Sequence, residues 1–114
     1  MTRVRMITRR GRCVGFTASG HSGFAERGHD IVCAAVSALT QTCELGLSDV
    51  LGLEPVVARD DERGAYVVRL PRGVRKAQLR RSQLLFRTLY IGLKSIEAAY
   101  PDCVRVNAND RRWN

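Results

Sequence analysis

Aromatic residues make up only 6% of this 114-residue chain: three Phe, three Tyr and one Trp. So few rings leave no stacking platform of the kind that reads single-stranded RNA bases. Four cysteines occur without a Cys-x-x-Cys pair, which excludes a zinc ribbon and a thioredoxin-type dithiol. No run is expected to reach the roughly 20 apolar residues of a membrane span. No apolar block long enough for a signal peptide follows Met1-Thr2-Arg3-Val4-Arg5. The expectation is a cytoplasmic protein with no membrane partner, in which Cys13, Cys33, Cys43 and Cys103 stay reduced. Acid is in deficit, with 11 Asp and Glu against 19 Lys and Arg, so the formal charge is +8. That excess points to a polyanion, most often nucleic acid. A solvated, arginine-rich surface is the plainer reading of the same number. Neither an internal repeat nor a low-complexity block is present.

What is there fits one domain with one core. Residues 2–9 alternate, with Val4 and Met6 on one face and Arg3, Arg5 and Arg9 on the other, the period of a half-buried strand. Arg10-Gly11 is a turn, and residues 12–20 return as a second strand. Residues 22–29 carry Gly23 and Gly28 with little to bury, and read as a mobile loop. Asp30 is a good N-cap, which makes Ile31 the first helical residue and Cys33 the third. That helix should run to about residues 49–51. It should be largely buried, because Ile31 through Cys43 carry no charge, and its alanines should allow close packing. Two short strands around the polar turn 60–64 form a second hairpin. A second helix over residues 75–100 buries Leu85, Leu89, Gly92, Leu93, Ile96 and Tyr100. Its cations, with Arg72, Arg75, Lys76, Arg80, Arg81, Arg87 and Lys94 in one stripe, could contact phosphates, although a solvated helix face is the plainer reading. Pro101 stops the helix, a short last strand covers 103–106, and residues 109–114 form a tail expected to fray. The fold class is α+β, in a domain spanning residues 1–108. It has a small mixed or antiparallel sheet and two helices, in the order strand-strand-helix-strand-strand-helix-strand.

The chemistry gathers in one stretch. Residues 20–37 hold both histidines and one cysteine. The first turn of a helix has free N–H groups and the positive end of the dipole, and both favour a thiolate at Cys33. The N–H groups of Cys33 and Ala34 could hold a developing oxyanion. Two histidines compete as its base. His21 follows a strand and is held firmly, whereas His29 sits on the loop, so rigidity favours His21. Ser37 falls one turn after Cys33, where it can meet substrate or bond back to the helix carbonyl four residues earlier. Phe24 offers an apolar group from the loop. From spacing alone, a small buried residue in an alanine-rich helix is the commoner reading of Cys33. A metal held by His21, His29 and Cys33 matches no standard zinc pattern.

These residues carry a resemblance. Gly20-His21, followed by Gly28-x-Asp30-Ile31-Val32-Cys33-Ala34-Ala35-Val36-Ser37, is similar to the signature of the bacterial ribosomal-processing cysteine protease family, Prp. The element order, the length and the Tyr100-Pro101 helix end fit it too. The resemblance implies a cytoplasmic, cofactor-free, metal-free homodimeric endopeptidase. Its substrate would be the N-terminal extension of large-subunit ribosomal protein L-twenty-seven, cut after an aromatic pair. It maps the catalytic dyad onto His21 and Cys33 and the signature aspartate and serine onto Asp30 and Ser37. It also implies that the loop from Ser22 to His29 orders on substrate. Ser22 replaces the usual alanine, and His29 departs from the usual residue between glycine and aspartate. The basic surface would suit ribosomal RNA beside the substrate. The rival reading is a non-enzymatic, RNA-associated module in which His21 and Cys33 are inert.

Overall fold

The structure, a computed structural model, describes residues 1–20 and 29–113, the side chains of His29 and Asp30 excepted. Strand β1 (Thr2–Arg9) and strand β2 (Arg12–Ser19) form the expected antiparallel hairpin. Its two-residue turn places Arg10 at φ 54° and Gly11 at φ 77°. Positive φ at both positions gives a turn whose twist matches the strands it joins. The pairing slips once: Ile7 faces Gly15 but Thr8 faces Cys13, so Val14 is an extra residue.

Strands β3 (Val56–Asp60) and β4 (Ala65–Arg69) form the second hairpin, and β5 (Val104–Ala108) ends the sheet. The five strands lie in the order β3-β4-β2-β1-β5. Only β1–β5 is parallel among the pairs, so the sheet is mixed. Helices α1 (His29–Leu45) and α2 (Lys76–Ala99) complete the α+β domain. Apolar residues from one sheet face, Val4, Met6, Phe16, Val68, Val104 and Val106, form the core with Val32, Val36, Phe86 and Leu93 of the helices. Each such fully buried side chain contributes about 1.5–3 kcal/mol.

Several expectations need correction. Helix α1 is not largely buried: Ile31 is 72% exposed and Leu45 55%, and Ala34 and Ala38 also face outward. Among the described side chains of α1 only Val32, Val36, Thr40 and Cys43 are buried, because a helix covering one side of a sheet needs only one stripe. Close approaches to α2 include Gly46 against Leu85 and Leu39 against Gly92. The stretch Ile31–Val50 is in fact long and apolar enough, at 20 residues, to cross a membrane. Here it is α1 followed by a π-helical turn (Gly46–Val50), with Leu47 fully buried. Helix α2 buries Phe86 and Tyr90, while Tyr100, just past its end, is exposed.

The tail does not fray. Asn109 Oδ1 accepts the Thr8 N–H at 2.6 Å and the Thr8 hydroxyl at 2.7 Å, and its amide donates to the Thr8 carbonyl. A 3-10 turn (Arg111–Trp113) then buries Trp113 to 5% exposure, edge-on to Tyr90. Burying a whole indole outweighs the cost of ordering a few polar residues. The tail also claims part of the expected basic stripe. Arg87 lies over the Trp113 ring, 4.1 Å from its centroid. Lys94 donates to Glu97 and to the Val106 carbonyl.

Candidate active site

Helix α1 begins at His29, one residue before the proposed cap, so Asp30 lies inside it and Cys33 is its fifth residue. N-cap preference is worth only about 1 kcal/mol and is outweighed where the helix continues. The consequence is chemical. In an α-helix each N–H bonds the carbonyl four residues earlier. The N–H groups of Cys33 and Ala34 therefore have helical acceptors at residues 29 and 30, which argues against their use as oxyanion donors. The free N–H groups of α1 lie nearer its start.

The Cys33 thiol is half-buried and opens into a cleft of about 200 Å³. Its Sγ is 3.5 Å from the hydroxyl oxygen of Thr2. Thr2 is held in turn by β1: its N–H donates to the Cys103 carbonyl at 2.9 Å. The α1 side of the cleft presents Cys33, Ser37 and Gln41 at four-residue steps. Ser37 is exposed there and does not bond back along the helix; Thr40 and Thr42 do. The floor is Thr2 with Ala18, Ser19 and Gly20 at the end of β2. Gly20 has φ 86°, and a Cβ there would collide with the Met1 carbonyl. Only glycine lets the chain turn so close to β1.

The far wall is the β3–β4 hairpin, through Arg59, Asp61 and Tyr66. Register explains its place: Tyr66 pairs with Ala18 and Arg59 with Tyr66 on the core side of the sheet. The Tyr66 hydroxyl donates to the Glu44 carboxylate of α1. The Arg59 guanidinium lies 4.3 Å from the Tyr66 ring centroid and 3.7 Å from Glu44. Burial, reinforced by Glu44, pushes the Tyr66 phenol well above its ordinary value, so it stays a neutral donor.

Of the residues singled out in the sequence, the cleft brings together Gly20, Cys33 and Ser37. Ala34 faces solvent elsewhere on α1 and does not line it. His21 and Phe24 lie outside the described residues, as do the side chains of His29 and Asp30. The metal alternative rests on those histidines. Among the described residues no three His, Cys, Asp or Glu side chains gather. Thr2, Gln41 and Tyr66 were missed. Gln41 was findable, since 33, 37 and 41 are one helical face. Thr2 and Tyr66 are brought there by strand pairing and carry no local signal.

A half-buried thiol in a cleft edged by hydroxyls suits attack on a bound carbonyl. Comparison with known proteins agrees. The family described as cysteine protease Prp matches residues 1–105. The chain belongs to this family. As a Prp-family member it is a cysteine protease, so the inert-module reading is set aside. It is 30% identical over 96 residues to the ribosomal processing cysteine protease Prp of Bacillus subtilis, covering 84% of this chain and 86% of that one. The fold matches that of Prp from S. aureus in complex with a substrate peptide, with a TM-score of 0.83 at 24% identity, over 96% of this chain and 100% of that one. A second S. aureus Prp structure, with a covalently linked product peptide, has a TM-score of 0.79 at 26% identity, over 96% of this chain and 100% of that one.

Proposed function

We propose that this cysteine protease removes the N-terminal extension of large-subunit ribosomal protein L-twenty-seven in the cytoplasm, with Cys33 as nucleophile and His21 as its base. His21 takes the Cys33 proton and the sulfur attacks the scissile carbonyl carbon. The tetrahedral intermediate collapses to a thioester as the imidazolium gives its proton to the leaving amine. Water then hydrolyses the thioester, with His21 again accepting a proton and the thiol restored. The observation that carries this reading is the Cys33 thiol at the cleft, beside the Thr2 hydroxyl. The covalently linked product peptide of a relative fits a thiol that bonds its substrate. The cleft formed by the described residues, at about 200 Å³, has room for a side chain rather than a whole peptide. Phe24 is assigned to completing a pocket for an aromatic side chain of the substrate, and Asp30 and Ser37 to supporting the dyad. The enzyme acts as a homodimer in this reading. The outward Ile31, Leu45, Leu84 and Ile91 of the two helices support it, since exposed aliphatic residues on one layer favour association. RNA near the substrate is attracted by the basic surface.

The test is cleavage of a peptide spanning the extension, read by mass spectrometry. A single cut should be lost in Cys33→Ser and His21→Ala and kept in His29→Ala. Cleavage that survives Cys33→Ser would overturn the thiol mechanism. Loss in His29→Ala with retention in His21→Ala would reassign the base.

A further inference from the structure

The strand pairing collects arginines on the sheet face that the helices leave bare. On β1, Arg3 and Arg5 point away from the core side that Val4 and Met6 occupy. The parallel register sets Arg105 beside Arg3 and Asn107 beside Arg5. On the other side Ser19 stands beside Arg3 and Thr17 beside Arg5, and Arg69 follows beside Gly15. All four arginines are exposed, and no described element covers this face.

Such an arrangement is costly for the protein alone. Neighbouring strands lie about 4.8 Å apart, and like charges directly opposite destabilise a sheet. Yet among the described residues no carboxylate forms an ion pair with Arg3, Arg5, Arg69 or Arg105. Glu97 reaches Arg105 electrostatically but is committed to Lys94 and to the Val106 N–H. Arg3, Arg5, Thr17, Ser19, Asn107 and Arg111 also border one groove of about 770 Å³ that no Asp or Glu lines. The expected helical stripe is less available, since Arg87 and Lys94 are engaged internally.

We propose that the open face of the sheet, centred on Arg3, Arg5 and Arg105, binds the phosphate backbone of folded RNA. Arginines leave the backbone at steps of about 7 Å along β1 and about 4.8 Å across to β5, interspersed with hydroxyl and amide donors. That pattern suits phosphates and ribose hydroxyls. The described sheet face offers no ring to stack on unpaired bases, and Tyr90, which borders the groove, is buried against Trp113, so duplex shape rather than sequence is recognised. The contact deepens the proposed reading, in which RNA surrounds the substrate, and it rests on that reading only for the RNA's source.

Fluorescence anisotropy with a short RNA duplex tests it, using the full chain. The triple variant Arg3→Gln/Arg5→Gln/Arg105→Gln should bind about tenfold or more weakly and lower the salt slope by about 2–3. The control Lys76→Gln/Arg80→Gln/Arg81→Gln removes equal charge from exposed positions of α2, in the other layer, and should stay within about twofold of wild type. Single Arg105→Gln should melt slightly higher, because the repulsion with Arg3 is relieved; this readout holds even if the triple variant folds poorly. Both triple variants should still cleave peptide, which separates failure of the RNA contact from failure of the peptidase reading. Equal losses in the two triples, no loss in the sheet triple, or preference for anionic lipid vesicles over the duplex would each overturn the proposal.

Discussion

Replacing Gln83 should cost this fold more than any other half-exposed polar residue. The extra residue at Val14 breaks the β1–β2 ladder where Cys13 sits, and Cys13 is fully buried. Gln83 of α2 repairs the break: its Oε1 accepts the Cys13 N–H at 2.8 Å and its Nε2 donates to the Cys13 carbonyl at 2.8 Å. Gln83→Met keeps the length and removes both bonds. Each buried backbone group left without a partner costs about 1–3 kcal/mol, and the partial exposure of this site favours the lower half, so the two groups together cost about 2–4 kcal/mol. For a chain of this size that lowers the melting temperature by about 10 °C. Urea and thermal unfolding, followed by circular dichroism, measure it. Gln83→Glu sharpens the test. A carboxylate can accept from the Cys13 N–H but has no proton for the Cys13 carbonyl, so its deficit at neutral pH should be at least as large. The protonated acid regains a donor, so the deficit relative to wild type should shrink as pH falls through roughly 4–6. A Gln83→Met variant that melts within about 1 °C of wild type would refute the repair argument.

Four further outcomes are expected. Burial raises the Cys13 thiol to about 11 and the Cys43 thiol to about 12, so brief alkylation of the native protein should mark the half-buried Cys33 and Cys103 first, read by peptide mapping; early labelling of Cys13 would contradict the packing. Thr2→Val should lower kcat about three- to tenfold with KM little changed, and Thr2→Ser should keep most of the activity, if the hydroxyl positions the Cys33 sulfur. Burial works against the Glu97 carboxylate, but the Val106 N–H and Lys94 outweigh it and hold it below its ordinary value of 4.5. Its contribution is therefore present above that pH and lost below it, and wild type should exceed Glu97→Gln by about 1 kcal/mol at pH 7 and converge with it in acid. Gly20→Ala cannot keep φ 86° or clear the Met1 carbonyl, so it should fold and yet lose peptidase activity about tenfold or more, which steady-state kinetics would check.

Local order was readable. Alternation of Val4 and Met6 with arginine, the Arg10-Gly11 turn and the uncharged run of residues 31–43 in α1 are set by neighbours in sequence. The Prp signature around Cys33 was likewise a contiguous block. The errors came where a weak local preference met a stronger long-range one. Asp30 prefers to cap, but α1 continues through it to His29. Arg87 and Lys94 look solvated on a helical wheel, but Trp113 and Val106 recruit them. The polar tail looked free because one buried Trp113 is a single residue without period.

The sequence by itself determined the strands, the helices and the thiol that a cysteine protease needs, because periodicity and a short motif are properties of adjacent residues. Only the tertiary structure decided that Thr2 touches Cys33, that Tyr66 walls the same cleft, and that Arg105 stands beside Arg3. Those neighbours are fixed by strand register, and register is chosen by which apolar faces bury together across the whole chain.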